Sequence, residues 1–260
     1  MPTLLADKRI WLIGASEGIG EALAKKLVFT KKAKVIISAR NEEKLNKLHK
    51  ELSPNHSLVA PLDVKDYESI KKAYLSIKDA WGGVDIVIYN AGMSGLKKYR
   101  KFVLSEALET LDVNLLGAFR ALSLPVKDFV DEKRGHIVLV GSVAGYGGLP
   151  ASTAYGASKA GVIHMAEGLR LDLTPIGVKV QVVNPGFVET RLTKVNDFEM
   201  PALISAEKAA DYIIKGIKAD KFEIHFPKKF TLLLKFLQLL PYSLYFKAIR
   251  SQTKNLKYFD

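Results

Sequence analysis

This sequence contains a tyrosine and a lysine four residues apart, a pair that could carry out acid–base chemistry. Tyr155 and Lys159 stand in the run Tyr155-Gly-Ala-Ser-Lys159, near the start of a predicted helix, so they share one helix face. A tyrosine acts as an acid–base group near pH 7 only if its pKa falls from about 10, which takes roughly 4 kcal/mol. A cation about 4 Å away, at an effective dielectric near 20, supplies about that much. We therefore expect Lys159 to lower the pKa of Tyr155.

We expect Ser142 to lie close to Tyr155 and Lys159. Ser142 follows a predicted strand at 136–140, and ligands of open α/β sheets bind at the carboxyl ends of the strands. An isolated Tyr-x-x-x-Lys is more often a surface pair on a helix. The functional interpretation is favoured here because Ser142 and two glycine-bearing segments end strands on the same predicted edge.

The first of these segments is Gly14-Ala-Ser-Glu-Gly18-Ile-Gly20, between a strand and a helix. Its glycines allow a tight turn and close approach to a pyrophosphate, and the helix start offers N–H groups to an anion. The second, Asn90-Ala-Gly92, puts small residues where a backbone passes close to a cofactor. A glycine cluster alone is a weak signal, which its place between a strand and a helix strengthens, whereas Asn90-Ala-Gly92 alone is equally compatible with ordinary turn chemistry.

The choice between the two nicotinamide nucleotides depends on charge at the end of the second strand. An NAD site usually has a carboxylate there, and the nearest one is Glu42. Arg40 can instead bind a 2′-phosphate, which favours NADP(H). Glu17 is the opposing observation, because it can lie near the same phosphate, pair with Arg40 or point to solvent. Asp63, after the third strand, is suited to adenine edge groups or to a turn.

These side chains need a scaffold of alternating strands and helices. Strands are predicted at 9–13, 34–38, 57–62, 84–89, 136–140, 179–183 and 222–226. Helices are predicted at 18–30, 41–52, 67–81, 106–130, 154–175 and 206–219. The alternation predicts an α/β fold, a Rossmann-type doubly wound sheet of about seven parallel strands with helices on both faces, plus a C-terminal helical tail.

Composition limits the possible functions. The 260 residues are 48% hydrophobic and 25% charged, and nothing marks a boundary before residue 226. We expect one catalytic domain over 1–226 and a tail extending it over 227–260. The absence of cysteine excludes disulfides and thiol chemistry, we expect no metal site, and no secretion signal is visible. A cytoplasmic location is the simplest expectation.

Over roughly residues 7–226 the sequence resembles the short-chain dehydrogenase/reductase family. The motifs that carry the likeness are Gly14-x-x-x-Gly18-Ile-Gly20, Asp63, Asn90-Ala-Gly92, Asn114, Ser142, Tyr155-x-x-x-Lys159, Pro185-Gly186 and Thr190. The resemblance implies that Tyr155 donates the proton, Ser142 holds the carbonyl oxygen, and Lys159 binds the nicotinamide ribose and lowers the tyrosine pKa. It also implies that Asn114 supports a proton relay.

The residue chemistry and the resemblance together predict a set of contact residues. Those for the cofactor are Gly14, Ser16, Gly18, Ile19, Gly20, Arg40, Asn41, Asp63, Val64, Asn90, Ala91, Gly92, Tyr155, Lys159, Pro185, Gly186, Val188 and Thr190. Those for the substrate are Ser142, Tyr146, Phe187, Leu192 and Met200. Ile13 departs from the family, which often has Thr there, and this puts the rigidity of the loop near Asn90 in doubt.

The resemblance implies a variable flap over residues 187–201 that covers the substrate. Its apolar residues, which include Val195 and Phe198, favour a lipophilic carbonyl or alcohol, unless they only pack the loop onto the body. The resemblance also suggests that helices 106–130 and 154–175 form a homodimer or homotetramer interface.

The tail carries half of the excess charge. The whole chain has 39 basic and 27 acidic residues, a net +12, and residues 221–260 hold eight basic against two acidic ones. Nucleic acid has no motif in its favour. The apolar run at 230–240 is too short, and too interrupted by Lys235 and Pro241, to span a bilayer convincingly. Three interpretations stay open for 227–250: peripheral membrane contact, a cap over the substrate pocket, and a subunit interface.

The sequence therefore predicts an NADP(H)-dependent enzyme that interconverts a carbonyl and a secondary alcohol, with NAD(H) as the less favoured cofactor. A 3-oxoacyl-carrier-protein reductase is the enzymatic alternative, since it shares the four catalytic residues but usually ends soon after the seventh strand. A non-catalytic nucleotide-binding regulatory or scaffold protein is the other.

Overall fold

Parallel strands form one seven-stranded sheet in the part of the chain that the computed structural model describes, residues 5–94, 103–194 and 200–253. The strands are β1 (Arg9–Ile13), β2 (Lys34–Ser38), β3 (Ser57–Val59), β4 (Ile86–Tyr89), β5 (Gly135–Val140), β6 (Val178–Pro185) and β7 (Glu223–Phe226). Their order is β3-β2-β1-β4-β5-β6-β7. The order reverses between β1 and β4, and doubly wound sheets bind their ligands at such a point.

Both faces of the sheet are buried because apolar residues run almost continuously along its strands. Ile10 and Leu12 of β1 point into one core and Trp11 and Ile13 into the other, as the two-residue period of a strand requires. β3 is shorter than the predicted 57–62, although Ala60 and Leu62 still donate backbone bonds to the Ile37 and Ala39 carbonyls. The other strand predictions are confirmed to within two residues.

Helices cover the two faces in layers. The elements are α1 (Gly18–Lys31), α2 (Glu42–Glu51), α3 (Tyr67–Trp81), α4 (Leu104–Leu111), α5 (Gly117–Asp131), α6 (Thr153–Leu173), α7 (Ala206–Lys218), α8 (Lys228–Gln238) and α9 (Tyr242–Gln252). Residues of α1, α2 and α7 share one core, and residues of α3, α5 and α6 share the other. Asn41, Asp66 and Ser205 accept N–H bonds at the starts of α2, α3 and α7, which fixes where those helices begin.

The predicted continuous α-helix at 106–130 is wrong in its middle. A π-helical turn at Asp112–Leu116 separates α4 from α5. Such a turn holds an extra residue and rotates the side chains that follow it, and π turns occur often at functional sites. Asn114 lies within this turn and is fully buried.

The tail packs against the last strand and the sheet edge beside it. Pro241 separates α8 from α9, so the predicted end of the first tail helix is confirmed to within two residues. Residues 254–260 of the predicted tail lie outside the described residues. None of the described helices combines the length and the apolar character needed to cross a membrane.

Candidate active site

A cavity of about 580 Å³ opens where β1, β2 and β4 end. Many of the predicted cofactor residues line it. These are Gly14, Ser16, Gly18, Ile19, Arg40, Asn41, Val64, Asn90, Ala91, Gly92 and Thr190. The structure therefore brings together the glycine loop, the end of the second strand and the Asn90-Ala-Gly92 segment at one cavity.

The glycine loop is packed too closely for other residues. A β-carbon on Gly14 would lie 2.5 Å from the Ala91 nitrogen, and one on Gly20 would lie 1.9 Å from the Gly14 carbonyl oxygen. Gly14 also has φ +90°, which favours glycine. The Asn90 side chain donates to the Gly14 carbonyl over 2.7 Å, and its N–H donates to the Ile13 carbonyl over 2.8 Å. Asn90 thus anchors the loop, although Ile13 lacks the side-chain hydrogen bond of threonine.

The start of α1 fits a bound phosphate. Its N-cap residue, Glu17, makes no side-chain capping bond, so the first-turn N–H groups lack that usual partner. Those N–H groups and the positive end of the helix dipole favour an anion. Arg40 lies exposed at the rim of the same cavity. The residues of this cavity are therefore suited to a dinucleotide.

Some predicted cofactor residues do not line the cavity. Gly20 lies beneath the loop, and Asp63 takes the turn role, because its carboxylate accepts the Lys65 N–H over 3.0 Å. The Val188 side chain is buried in the core, where its backbone pairs with Ile204. Pro185 and Gly186 end the sixth strand beside β7.

The predicted catalytic side chains meet behind the Gly92 wall of this cavity. A β-carbon at Gly92 would lie 3.4 Å from Asn114 Oδ1 and 3.5 Å from Lys159 Nζ. Lys159 is buried, and its Nζ lies 5.8 Å from the centre of the Tyr155 ring. Ser142, also buried, forms a hydrogen bond with Tyr155. The four predicted catalytic residues, which we call the tetrad (Asn114, Ser142, Tyr155 and Lys159), thus lie directly beside the nucleotide cavity.

The expected fall in the pKa of Tyr155 is not seen. Burial raises this pKa, and the hydrogen bond with Ser142 offsets the rise only in part. Lys159 donates to the Val140 carbonyl over 2.8 Å, and burial lowers its pKa to about 8. A fall in the pKa of Tyr155 requires a cation about 4 Å from the phenol. Lys159 Nζ instead donates to the Val140 carbonyl oxygen.

Asn114 is held by three hydrogen bonds. Its Nδ2 donates to the Met93 carbonyl at 3.0 Å and to Ser158 Oγ at 2.9 Å, while its Oδ1 accepts the Met93 N–H at 2.8 Å. Sequence reasoning missed Ser158, which lies inside the Tyr-x-x-x-Lys run. Its position one residue before Lys159 was the available signal.

The predicted substrate residues Phe187, Tyr146, Leu192 and Met200 lie in different surroundings. Phe187 stacks obliquely on Phe230 of the tail, with ring centres 5.7 Å apart, and the Tyr146 hydroxyl donates to Glu223 Oε1 over 2.5 Å. Leu192 lines the nucleotide cavity instead of a separate substrate wall. Met200 is half-buried. Val195 and Phe198 lie outside the described residues.

Two basic side chains at the cavity were not predicted. Lys44 and Arg191 both line it, and both form ion pairs with Glu17. Lys44 lies four residues after Arg40, a spacing that could have indicated it, whereas Arg191 had only its position beside Thr190. Among the described residues, no group of three or more His, Asp or Glu side chains could hold a metal ion.

The family model described as short chain dehydrogenase matches residues 8–200. The chain belongs to the short-chain dehydrogenase family. An oxidoreductase of Myxococcus xanthus is 34% identical to this dehydrogenase over 239 residues, covering 91% of this chain and 94% of the relative. One of Staphylococcus aureus is 34% identical over 191 residues, 74% and 82% of the two chains. This family member is therefore an oxidoreductase, of a family that binds NAD(P)(H).

Solved structures of the family share the fold. A short-chain dehydrogenase of Burkholderia cenocepacia, solved in complex with NADP, superposes with a TM-score of 0.80 at 22% identity over 95% of this chain and 98% of its own. One from Streptomyces avermitilis gives a TM-score of 0.77 at 21% identity, covering 96% of both chains. The doubly wound fold of this dehydrogenase is that of its family.

Proposed function

We propose that this protein is an NADP(H)-dependent oxidoreductase that interconverts a carbonyl and a secondary alcohol on a small lipophilic substrate. The observation that carries the proposal is the cluster of Tyr155, Lys159 and Ser142 next to the Gly92 wall of the nucleotide cavity. A proton donor and an oxygen-binding hydroxyl thereby adjoin a site suited to a dinucleotide.

In the reduction, Tyr155 gives its proton to the substrate oxygen and Ser142 holds that oxygen. Burial raises the pKa of Tyr155, so the phenol starts protonated and can donate only where a nearby charge stabilises the phenolate that forms. With a pKa of about 8, Lys159 is mostly charged at pH 7 and stabilises the developing phenolate. Asn114, tied to Met93 and Ser158, supports the relay that returns a proton to the tyrosine.

The bound nucleotide supplies or accepts the hydride. Its pyrophosphate would be held by the glycine loop at the start of α1, and its 2′-phosphate by Arg40. Thr190, Asn90 and Gly92 line the rest of the cavity. NADP(H) is preferred over NAD(H) because Arg40 is exposed at the cavity rim, and Glu17, the neighbouring carboxylate, is paired with Lys44 and Arg191.

We base the lipophilic character of the substrate on apolar side chains of the flap and the tail. Phe187 of the flap and Phe230 of the tail contact each other, and Met200 lies at the end of the flap. The tail also reaches the loop after β5, since Tyr245 donates to the Gly148 carbonyl over 2.8 Å. These contacts support the inner side of the tail as a cap over the substrate.

The proposed oligomer is a homodimer or homotetramer through α4, α5 and α6. Leu108, Phe119 and Leu171 expose 55%, 53% and 77% of their surface on these helices, and burial against a second copy would stabilise such an assembly. A cytoplasmic location remains a prediction from the sequence.

Replacing Tyr155 by Phe tests the proposed reaction. We expect kcat for NADPH-dependent reduction of a panel of aliphatic and aryl ketones to fall by about 10²–10⁴-fold, because the proton donor is lost. Binding of NADPH, measured by fluorescence titration, is expected to persist. Tyr67→Phe, at an exposed position on α3, is the matched control and should keep full activity.

Near-normal turnover by Tyr155→Phe would remove this residue as the acid. Turnover only of 3-oxoacyl thioesters of the carrier protein would favour the 3-oxoacyl-carrier-protein reductase. Tight NADPH binding without turnover of any carbonyl or alcohol would favour the regulatory or scaffold protein.

A further inference from the structure

The two tail helices display a broad apolar surface to solvent. We call it the outer tail face; its residues are Leu232, Leu233, Phe236, Leu239, Tyr242 and Phe246. Leu239 is 82% exposed and Tyr242 is 79% exposed. On α9, Tyr242 and Phe246 stack with ring centres 5.7 Å apart. Exposed apolar side chains gathered on the same two helices in this way mark an interaction site.

The other side of the tail is fixed to the body. Thr231, Tyr245 and Ile249 are buried, and the Tyr245 hydroxyl bonds to the Gly148 carbonyl. Phe230 packs on Phe187. Because these contacts occupy the inner side, the same helices cannot turn the outer tail face toward the body without losing them.

The charged residues of the tail from 227 to 259 are all basic. Lys228, Lys229, Lys247 and Arg250 are exposed, and the sequence from 227 to 259 contains no Asp or Glu. Lys235 does not belong to these exposed cations, because it pairs with Glu223 of β7 on the inner side of the tail. An exposed apolar surface edged by cations complements an anionic one.

We propose that the outer tail face docks on an anionic lipid surface, with α8 and α9 lying along the membrane interface. Helices that lie in this interface combine an apolar side with Lys and Arg, and anionic headgroups attract the cations. A second copy of the chain is a poor occupant, because two such faces would bring cations together without an acidic partner from the tail. The described helices are too short or too polar to span the bilayer, so the contact is peripheral.

Vesicle flotation of the full chain tests this proposal. The probes are vesicles of phosphatidylcholine alone and with about 30 mol% phosphatidylglycerol, at low salt and at about 0.5 M NaCl. We expect at least about tenfold stronger partitioning onto the anionic vesicles, weakened by salt. The variant Phe236→Ser/Leu239→Ser/Tyr242→Ser should lose about tenfold or more of this partitioning, because it removes the buried apolar area.

A matched variant separates docking from general hydrophobicity. Phe29→Ser/Tyr67→Ser/Leu75→Ser removes three exposed apolar side chains from α1 and α3, and it should float like the wild type. The proposal is overturned if the wild type does not prefer anionic vesicles, or if both variants lose binding equally. It is also overturned if the tail variant floats normally, or if it changes only the oligomer mass by light scattering, which would make a second copy the occupant.

Discussion

At the rim of the nucleotide cavity, Glu17 joins two cations from distant parts of the chain. Lys44 Nζ donates to it over 2.8 Å and Arg191 Nε over 2.6 Å. Burial disfavours its ionised form, but these two hydrogen bonds outweigh burial and lower the pKa of the carboxyl. Of the three predicted arrangements of Glu17, the pair with Arg40 and free exposure to solvent are not present, and the position near the phosphate stays a prediction. Arg40 consequently keeps its charge available for a phosphate.

Arg40→Ala is predicted to change cofactor preference. We expect kcat/KM with NADPH to fall by about 10- to 100-fold, the value of one or two charge-assisted hydrogen bonds, while kcat/KM with NADH changes little. Steady-state rates with both nucleotides and one ketone measure this. Lys47→Ala removes a charge from the exposed side of α2, away from the cavity lining, and is the control. An unchanged ratio of NADPH to NADH efficiency would exclude Arg40 as the determinant.

Among the helices, the break between α4 and α5 is a feature that the period of apolar residues in the sequence does not predict. The apolar pattern over 106–130 indicates one helix, and the residues are indeed helical on both sides of the break. A π turn arises when backbone bonds shift to i→i+5, which depends on what the buried side chains contact. Here Asn114 contacts the Met93 backbone and Ser158, residues distant in the sequence.

The first tail helix, α8, is attached to the sheet through a half-buried polar cluster. Lys235 pairs with Glu223, which also accepts bonds from the Tyr146 hydroxyl and Asn184 Nδ2. Burial raises the pKa of Glu223, but these three bonds reverse the effect and lower it. The cluster therefore connects the tail to the predicted substrate residue Tyr146.

Lys235→Met is predicted to loosen this attachment. Removing the cation leaves a half-buried carboxylate, so we expect a loss of about 1–2 kcal/mol in the free energy of unfolding and faster amide exchange in α8. Urea denaturation and hydrogen exchange measure these effects. The double variant Lys235→Met/Glu223→Gln should recover most of the loss, and Lys229→Met, on the exposed side of α8, should show none. If Lys235→Met exchanges like the wild type, the cluster does not hold the tail.

For the whole molecule, acid stability depends on an ion cluster at the start of the central strands, opposite the catalytic edge. Asp85 accepts bonds from the Arg9 backbone and guanidinium and from Arg134. Burial opposes its ionisation, yet the bonds from Arg9 lower its pKa to about 2. Since the folded pKa lies below the unfolded value of about 3.9, the stabilisation is present above about pH 4 and is lost as pH falls toward 2.

Asp85→Asn is predicted to lower the free energy of unfolding by about 2 kcal/mol at pH 7. The difference from the wild type should shrink between about pH 4 and pH 2, where the wild-type carboxyl becomes protonated. Urea unfolding at several pH values measures it, with the exposed Asp79→Asn as control. A difference that stays constant down to pH 2 would contradict the assigned pKa.

Local spacing was enough to predict the strand and helix alternation, the glycine loop and the Tyr155–Lys159 pair, because each depends on residues within a few positions of one another. The partners of Glu17, the π turn around Asn114 and the docking of the tail required the folded chain. They join residues that are far apart in sequence, as with Glu17 and Arg191, which are separated by 174 positions. The same holds for the pKa of Tyr155, because burial sets its direction, and burial is a property of packing rather than of spacing.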